Sequence, residues 1–131
     1  IDAAMPIDYI TVPLIKQMEQ LAPYGKGNEK PVFAEQHFNI RRASIRGQAK
    51  KVLAMNISNG KTNINAVYFG EIGEFEEFIS QEFGEDTLKN IYQGRANDSD
   101  VAFTYFPTIN EYNGYASPEI QVLSYCRISH Q

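Results

Sequence analysis

Pro31-Val32-Phe33-Ala34-Glu35-Gln36-His37-Phe38-Asn39-Ile40-Arg41-Arg42-Ala43-Ser44-Ile45-Arg46 reads as a long strand that changes phase part-way. Phe33, Phe38, Ile40, Ala43 and Ile45 are interleaved with polar residues, the pattern of a half-buried strand. The alternation shifts near Arg41-Arg42-Ala43, which predicts a bulge or sharp bend. Working outward, residues 51–58 form a second strand, with Leu53, Met55 and Ile57 alternating against Val52, Ala54 and Asn56. Asn59-Gly60 predicts a two-residue hairpin turn, since both positions tolerate positive φ. A third strand is expected at residues 62–69, with Ile64, Ala66 and Tyr68 on one side and Val67 and Phe69 on the other.

The period then becomes helical. Phe75, Phe78, Ile79 and Phe83 share one face and Gly84 is a natural stop. A second helix is expected from Asp86, as its cap, through Leu88, Ile91 and Tyr92 to Gly94. Strand alternation returns at residues 100–109, with Val101, Phe103, Tyr105 and Pro107 on one side. Asn113-Gly114 marks a hairpin, and residues 119–127 make the last strand. Upstream, residues 11–21 form a short amphipathic helix. Thr11 can cap it, Pro13 suits the first turn, Leu14, Ile15, Met18 and Leu21 share a face, and Pro23 and Gly25 end it. So short a helix must cover its stripe with the chain downstream of it or with an upstream domain.

Three strands, a helix and two strands, the first of them long and bent, is the order of a mainly β, five-stranded OB-fold Greek-key barrel. Its helix falls between strands 3 and 4, and an N-terminal helix precedes the barrel. Another small barrel or an α+β sandwich is the competing architecture. The expected division is residues 1–30 as helix and linker and 31–128 as barrel. The chain opens Ile1-Asp2-Ala3 and stops soon after Cys126-Arg127-Ile128, so a segment of a longer protein is expected.

The 131 residues suit one domain, and a hydrophobic fraction of 43% is enough for a packed core. A single cysteine, Cys126, excludes an intramolecular disulfide framework and any multi-cysteine metal site. No apolar run approaches a membrane span of about 18 residues and no signal peptide is visible, so a cytoplasmic protein is expected. The net charge of −4 hides a division. Arg41, Arg42, Arg46, Lys50, Lys51 and Lys61 lie between Gln36 and Gly70, a stretch with no acid. Glu71, Glu74, Glu76, Glu77, Glu82, Glu85 and Asp86 come next, with no base among them. The acidic run reads as the solvated face of a helix. The basic run can attract a polyanion, because screening confines each field to about 8–10 Å.

Arg46-Gly47-Gln48-Ala49-Lys50-Lys51 would join strands 1 and 2, and Asn110-Glu111-Tyr112-Asn113-Gly114-Tyr115 would join strands 4 and 5. In OB-folds these two loops flank the oligonucleotide site. Arg41, Arg42, Arg46, Lys50 and Lys51 are therefore candidate phosphate contacts. Tyr112 and Tyr115 are candidate base-stacking groups, joined by Tyr68 if its face is exposed. Gly25-Lys26-Gly27-Asn28 fails as a phosphate loop, because it comes after a helix and precedes a strand. His37 has no partner at metal spacing, Cys126 reads as a buried small hydrophobe, and no paired carboxylates stand out. The sequence offers no catalytic residue and no metal ligand set.

Leu21-Ala22-Pro23-Tyr24-Gly25-Lys26-Gly27-Asn28-Glu29-Lys30-Pro31-Val32-Phe33 resembles the segment of bacterial RecJ exonucleases that joins the second catalytic-core domain to a C-terminal OB domain. Asn65-Ala66-Val67-Tyr68-Phe69-Gly70 resembles that family's third OB strand. Ile109-Asn110-Glu111-Tyr112-Asn113-Gly114, with Gln121 beyond it, resembles its last hairpin. Glu29-Lys30 before Pro31 departs from the usual proline position. The resemblance implies a parent enzyme that degrades single-stranded DNA from the 5′ end with manganese or magnesium, in repair and recombination. The Asp-His-His-type motifs and the Gly-Gly-His segment of its nuclease core are absent from this sequence. The implied role is to hold single-stranded DNA and guide it to that core. A docking or clamp module, bracing the core or recruiting a partner, is the alternative.

Overall fold

The computed structural model describes residues 1–20 and 30–128. In chain order the elements are β1 (Ala3–Ala4), a single 3₁₀ turn (Ile7–Tyr9), α1 (Val12–Gln20), β2 (Phe33–Arg46) and β3 (Val52–Ser58). Next are β4 (Asn63–Tyr68), α2 (Ile72–Phe83), α3 (Glu85–Tyr92), β5 (Val101–Tyr112) and β6 (Tyr115–Cys126). The sheet order is β1-β2-β3-β4-β6-β5, and β2 also pairs with β5, which closes β2 to β6 into a barrel. The first half of β2 pairs with β5, Phe33 opposite Tyr105, and the second half pairs with β3, Arg46 opposite Val52. The expected OB barrel is thus realised, with α2 and α3 between its third and fourth strands.

Alternation decides what enters the barrel. Ile40, Leu53, Ile57, Val101, Tyr105 and Ile120 are fully buried at its centre. Each such aliphatic side chain contributes roughly 1.5–3 kcal/mol over its exposed state. α2 seals one end: Phe75 and Ile79 are buried, and Phe75, Phe78 and Tyr68 gather around Tyr125 at ring separations of 4.8–5.6 Å.

The predicted bulge lies between Ile40 and Arg42. A bulge removes backbone groups from the ladder, and buried ones must find partners. Here the Ile40 N–H donates to Ser99 Oγ at 3.0 Å, and Asn97 Nδ2 donates to the Ile40 carbonyl at 2.9 Å. Asn39 Nδ2 donates to the Asn97 and Ser99 carbonyls, both at 3.0 Å. The segment between α3 and β5 is therefore sewn onto the bulge.

The two Asn-Gly pairs behave differently. Asn113 and Gly114 both have positive φ, 51° and 81°, and join Tyr112 directly to Tyr115. The sequence predicts the same turn at Asn59-Gly60, but Ser58 pairs with Asn63 and the loop has four residues. The Asn59 side chain accepts from the Lys61 and Thr62 N–H groups at 3.0 and 2.9 Å, so it builds the turn instead of occupying its centre.

The amino end belongs to the same core. β1 runs parallel to β2, Ala3 opposite Phe33, and Ile7, Ile10 and Ile15 join the barrel's apolar cluster. Neither β1 nor the 3₁₀ turn is among the elements the sequence pattern predicts. Thr11 does cap α1: its Oγ1 accepts from the Leu14 N–H at 3.2 Å. Leu14 and Met18 lie partly buried on the core. Leu21, Pro23 and the Gly25-Lys26-Gly27-Asn28 segment lie outside the described residues.

Candidate nucleic-acid interface

β2, β3 and β4 curl with their outer faces around an open cleft of about 910 Å³. The bulge sets its charge. Ile40 pairs inward with Ile57 and Ala43 pairs inward with Met55, so the two residues between them both project outward. Arg41 and Arg42 thus stand side by side on one face, where plain alternation would give one of them. Arg46 lines the same cleft from the end of β2, and Arg95 from the segment after α3.

The floor is polar and ordered. Arg41 Nη1 donates to Asn56 Oδ1 at 3.0 Å, and Asn56 Nδ2 donates to Asn65 Oδ1 at 2.9 Å. This chain of bonds runs across β2, β3 and β4 and aims one guanidinium. Among the described residues, none of Arg41, Arg42, Arg46, Lys50 and Lys51 forms an ion pair within 4.0 Å. Glu119 is the acid in the cleft lining. Burial pushes its carboxyl above the ordinary range, while nearby Arg46 pulls the other way.

Lys50 and Lys51 lie elsewhere. They border a second cleft of about 820 Å³ with Ile45, Phe69, Ile72, Glu71 and Glu76. Strand register explains the separation. β4 and β6 are parallel, Asn65 opposite Glu119 and Tyr68 opposite Val122. The β2–β3 loop with Lys50 and Lys51 therefore extends past the Tyr68 end of β4. The β5–β6 turn extends past the Asn63 end. Tyr112 and Tyr115 sit at that turn, 73% and 80% exposed, and line neither cleft. Asn110 and Glu119, from the same hairpin, do reach the arginine cleft.

Tyr68 must be corrected as a stacking candidate. It is 9% exposed, its ring meets Tyr125 edge-on at 5.6 Å, and it lies across Gly70. The alternation that sends Ile64 and Ala66 inward sends Tyr68 with them. Asn56, Asn65, Arg95, Glu119 and Phe69 are site residues that the sequence reasoning misses. Asparagine is disfavoured in strands, so two of them facing outward on neighbouring strands are a usable signal. Glu119 and Arg95 give none without the closed topology.

His37 Nδ1 lies 2.9 Å from an Asp100 carboxylate oxygen, on the β2–β5 side. Cys126, expected to be buried, is exposed, because it is the last residue of β6. No group of three His, Cys, Asp or Glu placed to hold a metal ion occurs among the described residues. No described helix is long and apolar enough to cross a membrane.

Residues 1–124 match the family described as the RecJ OB domain. The chain belongs to that family. No curated protein matches the chain. Among solved structures, the SSB domain of a Synechococcus sp. protein is 16% identical, with a TM-score of 0.49 over 74% of this chain and 94% of that one. An aspartyl tRNA synthetase from Entamoeba histolytica is 17% identical, with a TM-score of 0.39 over 94% of this chain and 24% of that one. Neither likeness bears on what this RecJ OB domain binds.

Proposed function

We propose that this RecJ OB domain holds single-stranded DNA and guides it toward the metal-dependent core of a cytoplasmic bacterial 5′→3′ exonuclease acting in repair and recombination. The observation that carries the reading is the arginine cleft: Arg41, Arg42 and Arg46, with no ion pair within 4.0 Å among the described residues, on the outer face of one sheet. Arginines spaced along an open groove neutralise successive phosphates and release their counterions. The asparagine floor can meet sugars or base edges. Lys50 and Lys51 extend the positive field beyond one end of the cleft, and Tyr112 and Tyr115 offer π-faces beyond the other.

In this reading the chain hydrolyses nothing itself. In the same reading the manganese or magnesium belongs to the nuclease core. The clamp form of the docking alternative, which braces the core through residues 14–21, needs an apolar helix face left bare; the form that recruits a partner through the basic surface does not. Ile15 is buried, and Leu14 and Met18 lie against the core, which favours the nucleic-acid reading.

The test is an equilibrium titration of the 131-residue chain with a single-stranded oligonucleotide at about 50 mM salt. Binding that weakens steeply with salt and shows little sequence preference supports the reading. No binding at that salt sinks it. Binding unchanged in the Lys50→Ala/Lys51→Ala variant removes the lysines from the interface.

A further inference from the structure

The second cleft sets apolar surface between two lysines, Lys50 and Lys51, and two glutamates, Glu71 and Glu76. Phe69, the first residue after β4, is 57% exposed, and Ile45 beside it is 44% exposed. Lys50 and Lys51 stand at the same cleft. Tyr68, one residue earlier, has its ring covered by Phe75, Tyr125 and Gly70; the Phe69 ring is left to water. The two clefts share no lining residue but draw on neighbouring positions of β2 and β4. Arg46 and Val67 line the arginine cleft, while the preceding residue Ile45 and, two positions along, Phe69 line the other. Phe69 thus lies beyond the Arg46 end of the arginine cleft.

We propose that Phe69, flanked by Ile45, is a base-stacking platform at the Arg46 end of the cleft, with Lys50 and Lys51 neutralising the adjoining phosphates. The proposal rests on the single-strand reading above. A nucleotide suits the charge pattern, because its sugar separates a neutral base from an anionic phosphate. The base can lie on the apolar ring near Glu71 and Glu76 while the phosphate turns to the lysines. An acidic peptide brings carboxylates on either side of any apolar anchor, and those two glutamates oppose it. Stacking accepts every base, so the platform adds affinity without sequence preference.

The protein has no tryptophan, so Phe69→Trp installs a single reporter at the site. Its emission is expected to be quenched as oligo-dT is added at about 50 mM salt. Phe69→Ala is expected to weaken binding about 5- to 100-fold, with an unchanged salt slope because no cation is lost. Phe69→Tyr keeps the π-face and should stay within about twofold of the parent. An unchanged thermal midpoint in the alanine variant excludes unfolding as the cause. If the parent binds DNA while Phe69→Ala binds equally well and the tryptophan is silent, the platform is wrong and the single-strand reading stands. If the parent itself fails to bind, both fall. If the tryptophan responds to a peptide of aspartates and phenylalanine but not to oligo-dT, the cleft is a peptide dock and the proposal is overturned.

Discussion

Arg95 apart, the arginine cleft and the lysine cleft carry cations from one continuous stretch of sequence, yet they are built on opposite plans. Arg41, Arg42 and Arg46 stand on the outer face of a closed sheet, and Arg41 is steered by an amide chain through Asn56 and Asn65. Lys50 and Lys51 stand on a loop, beside apolar surface and two glutamates, with a tight turn at Gly47 behind them, and among the described residues no comparable amide chain aims them. The first plan fixes direction, which suits phosphates met in a set order. The second leaves a mobile point charge, which suits attraction over distance. A run of charge in a sequence is therefore not yet a patch; strand register decides how it divides.

The largest expected effect breaks the comparison outright. Replacing Arg41, Arg42 and Arg46 together by alanine should lower single-strand affinity on the order of a hundredfold and reduce the salt slope by about 2. The Lys50→Ala/Lys51→Ala pair should reduce the slope by about 1.4 and the affinity by less. Equal losses in a salt-dependent titration would erase the distinction between fixed and mobile cations.

Next come the supports beneath each cleft, measured by thermal or urea unfolding. Ser99→Ala strands the Ile40 N–H at the bulge and should cost about 1–3 kcal/mol. Gly70→Ala drives a Cβ into the Tyr68 ring and should cost about 1–3 kcal/mol. The serine change should also disturb DNA binding in the folded protein, because Asn97, Ser99 and the bulge hold the arginines in place. The glycine change should disturb the Phe69 side instead.

A smaller effect concerns Glu119. Its folded carboxyl titrates above the ordinary carboxylate range, chiefly through burial. A carboxylate raised in this way stabilises the fold below its unfolded pKa, and that contribution is lost as pH climbs through the folded one. Bound phosphates oppose its charge further. Affinity should rise as pH falls through the raised folded pKa of Glu119, and Glu119→Gln should bind about fivefold tighter near neutral pH, on the order of 1 kcal/mol, with a flatter profile. A wild-type profile retained in the glutamine variant would place the titrating group elsewhere. Smallest is Asn56→Ala, which frees Arg41 and should weaken binding by about two- to fivefold, roughly the value of one exposed hydrogen bond. No change there would mean that the amide chain positions nothing.

Much of this architecture is legible in the residues alone. The phase change at Arg41-Arg42-Ala43 announces the bulge, and period-two alternation fixes the inward sets of β3 and β4. The same alternation places Tyr68 inside and Phe69 outside, so Tyr68 as a stacking group goes against its own pattern. β1 is not legible, because Ala3 and Ala4 are tied by main-chain pairing that leaves no side-chain signature. The separation of Lys50 and Lys51 from the tyrosine turn depends on β4 meeting β6 in parallel, a long-range pairing with no local mark. Asn59-Gly60 and Asn113-Gly114 are the same dipeptide, and only the neighbouring hydrogen bonds distinguish a four-residue loop from a two-residue turn.

The bulge in β2 also has a genetic side. Adding or deleting one residue in an ordinary strand turns every later side chain to the wrong face. Here the extra residue is absorbed on the spot: Ile40 and Ala43 both face inward with two arginines between them, as plain alternation would keep them with one. The position is a natural site for insertion and deletion, where a single codon changes the charge facing the cleft and leaves the phase of the remaining strand untouched.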